Sequence, residues 1–264
     1  MLPFYIISDL LVNFGFIDIL SFLFNNFTLK IFGLSGNASF VIFFSMLTGF
    51  PSSAKYIKNL LENNLISLEE ANKLIRFTHF SNPLFIINVI GTIIIGNKTL
   101  GILVLLSHYL SNFIIGFIYR GEKIENRITN QKNENKSFSE ILTKSFLDSF
   151  NSLLIVLGSL ITFQLITKIV YHYFNFSPIM NLIIESMLEI TQGLFRLKNL
   201  PFSANLKAII SAIIISFGGL CIHMQVSSIL ADTKINYKNY LVGRIIQSIL
   251  APLIMIILLF IYRI

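Results

Sequence analysis

Charge is scarce in this 264-residue sequence: 12% of its residues are Asp, Glu, Lys or Arg and 54% are hydrophobic, against roughly a quarter charged in an ordinary soluble domain. So few charges exclude a water-soluble surface for a chain of this size. Cysteine is nearly absent. The single Cys221 excludes an intramolecular disulfide and a cysteine-based metal cluster, and its place in an apolar run reads as small-residue packing. Tryptophan is missing altogether while Phe, Ile, Asn and Lys abound, a drift of the whole composition that carries no chemistry. The first residues, Met1 to Asp9, lack the basic region and small-residue cleavage site of a secretory signal, so insertion through internal helices is expected. The chain also has no nucleophile elbow, His-Glu-x-x-His pair, P-loop or dinucleotide fingerprint. Neither an enzyme nor a metal or cofactor site is therefore expected.

What the chain does have is long uncharged runs: 24 residues from Ile31 to Ala54, 21 from Phe77 to Asn97, 21 from Thr99 to Tyr119, 19 from Ser149 to Thr167, 24 from Ala208 to Ala231 and 18 from Ile245 to Tyr262. A helix needs about 20 apolar residues to cross the hydrocarbon. Membrane-barrel strands would alternate in character at every second residue, whereas runs such as Ile245 to Tyr262 are apolar on every side. The fold class is therefore all-α, a polytopic membrane helix bundle.

The net charge of +7 lies between the runs, not in one patch, so it reads as an orientation signal and nucleic acid is not expected. Arg120, Lys123, Arg127, Lys132, Lys136 and Lys144 make the loop from 120 to 144 cytoplasmic, and Lys55, Lys58, Lys73 and Arg76 place the segment from 55 to 76 on the same side. Within that segment, Asn63-Asn64 predicts a turn. Ser67 and Glu70 then have the spacing of a capping box, giving an amphipathic hairpin at the membrane surface.

An internal repeat organises the whole. An offset of 170 residues places Gly49 on Gly219, Leu60 on Leu230 and Ile75 on Ile245, and both units share one plan: an uncharged run broken by small residues, a polar hairpin, then an uninterrupted span. The expected domains are a first repeat at 1–125, a cytoplasmic linker at 126–141 and a second repeat at 142–264. If the intervening segments return to their own sides, the second unit is upside down relative to the first, the inverted-repeat plan of secondary transporters with broken or re-entrant helices.

The interruptions carry the candidate chemistry. Gly49 and Pro51 break an apolar helix and free backbone groups that cost several kcal/mol each if unpaired in lipid. Pro51 also suits the first turn of a new helix, whose positive end, with Ser52, Ser53 and Lys55, would face an anion. The alternative is a short loop joining a membrane helix to a surface helix. Ser216, Gly218 and Gly219 break the second run where the repeat predicts, with His223 and Gln225 standing where apolar residues would be cheaper. Either residue can also serve as a hydrogen bonder within the bundle. Ser81, Asn82 and Pro83 form a third discontinuity, which caps a span or offers polar groups to a cavity. Glu185 and Glu189 are four apart on one expected helix face, and an intramembrane Glu189 reads as an ion ligand, proton carrier or counter-charge, with an interfacial helix as the alternative. Asp9, Asn13 and Asp18 read as interfacial, and His79, His108 and His172 show no ligand spacing.

The motifs Thr48-Gly-Phe-Pro-Ser-Ser-Ala-Lys55, Leu65-Ile-Ser-Leu-Glu-Glu-Ala71, Ser81-Asn-Pro-Leu-Phe85, Leu106-Ser-His-Tyr-Leu110, Leu188-Glu-Ile-Thr-Gln-Gly193 and Ser216-Phe-Gly-Gly-Leu-Cys-Ile-His-Met-Gln-Val226 occur in order over nearly the whole chain. Through them the sequence resembles the YlbJ or SpoVV family of sporulation integral membrane proteins, which groups with nucleoside-recognition gate domains and is similar in plan to concentrative nucleoside transporters. Relatives are expected to carry additional hydrophobic sequence at the N-terminus. The resemblance implies transport of dipicolinic acid, a small aromatic dicarboxylate, across a cell membrane, the outer forespore membrane in a spore former. The expected partners are a small anionic solute and the lipid bilayer, with self-association left open. The expected solute site comprises Gly49, Pro51, Ser52, Ser53 and Lys55, Ser81 and Asn82, Glu189, Thr191 and Gly193, and Ser216, Gly218, Gly219, His223 and Gln225.

Overall fold

The computed structural model describes residues 2–121 and 137–263, and every regular element among them is a helix. Lys123, Arg127, Lys132, Lys136 and the linker residues 126–136 lie outside the described residues. In chain order the helices are α1 (Leu2–Asn13), α2 (Phe16–Phe32), α3 (Ala38–Thr48), α4 (Ser52–Glu62), α5 (Leu68–Phe77), a π-helix (Phe85–Ile95), α6 (Lys98–Ile118), α7 (Phe138–Tyr173), α8 (Pro178–Leu188), α9 (Ile190–Lys198), α10 (Ala204–Phe217), α11 (Gly219–Leu230) and α12 (Tyr237–Tyr262).

Four stretches are long and apolar enough to cross a membrane: Lys98–Gly121, Phe138–Tyr173, Ala204–Leu230 and Tyr237–Tyr262; α1 and α2, bent by 84° at their junction, would make a fifth. Their burial ranks them from centre to edge. The α10–α11 span is 67% buried in the protein, α6 50%, α12 22% and α7 11%, so α10–α11 forms the axis of the bundle and α7 its outer wall. Large apolar side chains such as Phe22 and Phe260 are almost fully exposed, as lipid-facing residues should be and as a water-facing patch of this extent would not. With 36 residues, α7 is about 54 Å long, well beyond the ~30 Å hydrocarbon core.

Two of the uncharged runs are interrupted beyond the expected break at Gly49 and Pro51. The run from Ile31 to Ala54 holds the end of α2, a turn at Gly33 and the whole of α3. The run from Phe77 to Asn97 contains a non-helical stretch over 78–82 and only 11 residues of π-helix. Absence of charge licenses burial in lipid or protein alike, and here part of each run is buried against other helices.

Both halves hold a helix, a break, a second helix, a polar turn and a third helix, as α3, α4 and α5 in the first and α10, α11 and α12 in the second, but α5 has 10 residues where α12 has 26. The capping box at Ser67 forms as its spacing predicts, with Glu70 N–H donating to Ser67 Oγ and Ser67 N–H to Glu70 Oε2. Glu70 also accepts the Ser35 N–H at 2.6 Å, tying the turn before α3 to α5. The two halves are stapled at their polar ends. Lys58 Nζ donates to Asp232 at 2.6 and 2.8 Å, Asn72 Oδ1 accepts from Asn236 N–H and Asn239 Nδ2 at 2.8 Å, and Arg76 Nη2 donates to Asn239 Oδ1 at 2.7 Å.

Candidate functional site

Both sequence-predicted breaks exist, and glycine makes each of them. Gly49 has φ 81° and Gly218 φ 92°, in the half of backbone space that costs an L side chain roughly 1–2 kcal/mol. Gly49 is pressed against the third discontinuity: a Cβ there would lie 2.8 Å from Asn82 N. Asn82 holds that junction by donating from Nδ2 to Leu47 O at 2.7 Å and by accepting the Leu84 N–H at 2.8 Å, which starts the π-helix. Tyr109 Oη donates to Met46 O and Ser81 O. Two of the freed carbonyls of the first break, Met46 O and Leu47 O, are thus satisfied by side chains, as burial in lipid or protein demands.

Two histidines then join the first break to the second. The Phe50 ring stacks on His79 with centroids 4.6 Å apart, and a Cβ on Gly218 would lie 3.0 Å from His79 Nε2. Ser81 N–H donates to His108 Nε2 at 3.1 Å, which leaves the proton on Nδ1, 3.1 Å from Ser216 Oγ. His79 Nδ1 meets Tyr240 Oη at 3.0 Å. Gly49, Ser81, Asn82, Ser216 and Gly218 therefore belong to one connected network, buried except at the half-buried Asn82. His223 joins it through the Tyr240 ring, 5.1 Å away. Its Nε2 is 3.0 Å from Phe217 O, the last carbonyl of α10, and its Nδ1 is 2.6 Å from Tyr237 Oη. Both ring nitrogens thus have protein partners, and His223 caps the helix end that the break exposes.

The other predicted residues form two separate groups. Ser52, behind Pro51, donates to Tyr5 Oη at 3.3 Å, and the neighbouring Ser53 is buried. Lys55 forms a buried ion pair with Asp9 at 2.8 Å and donates to Ser149 Oγ at 2.9 Å, so its charge is matched by α1. Asp9, read from the sequence as interfacial, is a core ion-pair partner. Glu189 stands at the turn between α8 and α9. It caps α9 by accepting the N–H groups of Thr191 and Gln192 at 3.0 Å and the Thr191 hydroxyl. The expected shared helix face with Glu185 is therefore absent, because the helix breaks between them at Glu189. Glu185 pairs instead with Arg196 at 2.7 Å. The hairpin closes where Gly193 meets Ser186, and its tip touches the second break, Gly219 lying against Ser186 O and Ile190. Gln225 turns to α7, donating to Ser159 Oγ at 2.8 Å and lying 3.3 Å from Cys221 Sγ.

Sequence reasoning passed over the centre of the network. Arg244, at the edge of the last apolar run, is completely buried. Its Nη2 donates to Arg76 O at 2.8 Å and lies 3.5 Å from Asn112 Oδ1. Its Nη1 reaches Gln247 Oε1 and, at 3.4 Å, Ser216 O. Tyr240, Arg244 and Gln247 recur at helical spacing, a polar stripe that could have revealed the buried face of α12. A depression of about 480 Å³ lined by Asp18, Ser21, Phe22, Asn25 and Asn26 lies on α2, outside this network. Among the described residues no group of three or more His, Cys, Asp or Glu is placed to hold a metal ion.

No family model matches the chain, and no solved structure matches it. The chain is similar to the sporulation integral membrane protein YlbJ of Bacillus subtilis (strain 168), with 30% identity over 296 aligned positions that take in 98% of this chain and 72% of that protein.

Proposed function

Because the chain belongs to the YlbJ family of sporulation integral membrane proteins, we propose that it is a multi-pass membrane carrier of a small organic anion, with dipicolinic acid as the substrate during sporulation. In this reading the two broken units act as paired gates, in the outer forespore membrane of a spore former. The observation that supports it most is the meeting of both helix interruptions on one side chain, His79. Irregular backbone is tolerated at membrane depth where it is enclosed by protein or lines a solute path. The test is uptake: proteoliposomes holding the purified protein accumulate labelled dipicolinate above protein-free vesicles, and added nucleosides do not compete. Competition by nucleosides would move the assignment to a nucleoside carrier.

A second reading, a membrane-embedded structural partner of a sporulation complex, is favoured by one observation. The breaks are tightly packed, Gly49 having no room for a methyl group beside Asn82. Equal dipicolinate content in vesicles with and without the protein would select it.

A further inference from the structure

The buried Lys55 has an acid, Asp9, at 2.8 Å, and the half-buried Arg196 has Glu185 at 2.7 Å. Arg244 is the departure. It is more deeply buried than either, no carboxylate lies within ion-pair distance of it among the described residues, and its partners are neutral oxygens, two of them at 3.4 and 3.5 Å. Its Nε is buried without a hydrogen bond. A charged side chain almost never sits fully buried unless paired, and an uncompensated one costs several kcal/mol. A second unpartnered group lies beside it. His79 Nε2 is buried without a hydrogen bond and faces Gly218, where α11 begins with its amides free. Tyr240 links the two, its ring 5.3 Å from the guanidinium and its hydroxyl 3.0 Å from His79 Nδ1.

We propose that Arg244 is the carboxylate-binding residue of the solute site, with His79 Nε2 and the start of α11 completing the anion's surroundings. The inference rests on the carrier reading and extends it by locating the counter-charge. The ligand class is a small organic carboxylate. It enters by replacing the two long contacts of Arg244, to Ser216 O and Asn112 Oδ1, as the break between α10 and α11 parts from Phe50 and His79.

The test is equilibrium binding of labelled pyridine-2,6-dicarboxylate to the full chain in nanodiscs, with benzoate, isophthalate and the uncharged pyridine-2,6-dicarboxamide as competitors. Arg244→Gln weakens dicarboxylate binding about 10- to 100-fold, the loss expected of a charge-assisted hydrogen-bonded pair. Arg244→Lys falls between Arg244→Gln and wild type, and the diamide does not compete. Thermal unfolding of ligand-free Arg244→Gln stays at or above wild type, because an uncompensated buried charge has been removed. Should Arg244→Gln fail to fold, Arg244→Lys carries the test through its lost stabilisation by the dicarboxylate. Undiminished binding in both variants overturns the assignment and leaves the carrier reading standing. Arg244-dependent binding of benzoate and isophthalate without dipicolinate keeps the site and removes the substrate. Failure of the wild type to bind any carboxylate overturns both.

Discussion

Replacing Lys55 by Met isolates a buried charge, and the size of the effect follows from the pair's geometry. Lys55 Nζ and Asp9 Oδ2 are 2.8 Å apart, with side-chain exposures of 8% and 5%. At that separation and an effective dielectric of about 20 the Coulomb attraction is roughly 6 kcal/mol, much of it offset by desolvation. Without the ammonium, Asp9 keeps only Asn59 Nδ2 at 3.0 Å as a side-chain donor. Lys55→Met is therefore expected to cost about 3–5 kcal/mol. The double variant Asp9→Asn, Lys55→Met removes both charges and recovers at least about 2 kcal/mol relative to the sum of the singles. Cys221, the sole cysteine and a buried one, gives the assay: a thiol-reactive fluorophore reports exposure of α11 during a thermal ramp in detergent. At roughly 2–4 °C per kcal/mol for a chain of this size, Lys55→Met melts at least about 6 °C lower and the double variant well above it. Single-variant losses that simply add, to within about 0.5 kcal/mol, would refute the pairing argument. If the double variant folds well yet takes up no dipicolinate, Lys55 acts on the solute after all.

Further outcomes follow from other positions. Gly218→Ala loses about 1–2 kcal/mol from its backbone alone, with more from the contact on His79 Nε2 at 3.0 Å, whereas Gly158→Ala in α7, whose added methyl meets nothing within 4 Å, gains about 0.5–1 kcal/mol; the same thiol ramp ranks them. Glu189→Ala removes the α9 cap and costs about 0.5–2 kcal/mol, with faster amide exchange at Thr191 and Gln192 as the direct readout. The Lys58 hydrogen bond holds the exposed Asp232 carboxyl below its ordinary range, so the tie contributes above that range and is lost as pH falls through the lowered value. Asp232→Asn therefore costs at most about 1 kcal/mol at neutral pH, and its difference from wild type shrinks in melts taken at pH values below the ordinary aspartate range.

The legible parts of this fold were those decided locally. Uncharged runs of membrane length mark α6, α7, α10–α11 and α12, the capping box marks the start of α5, and glycines with no cheaper alternative mark Gly49 and Gly218. What the sequence hid depends on contacts between distant segments. The π-helix and the non-helical stretch before it lie in a run as free of charge as a span, and only the packing around them tells them apart. Glu189 sits at helical spacing from Glu185, yet capping α9 outweighs continuing α8. His79, His108 and Arg244 come from three different segments, so no spacing could bring them together. Lys55 looked available because its partner, Asp9, lies 46 residues away and reads as an interfacial acid.

In the carrier reading, the polar staples between the halves would serve as a fulcrum. Lys58–Asp232 and the Asn72, Arg76, Asn236 and Asn239 cluster tie the first half to the second. Sliding one half past the other would tear every tie at once. In that reading, tilting about them would keep the ties while parting Phe50 and Gly218 at His79.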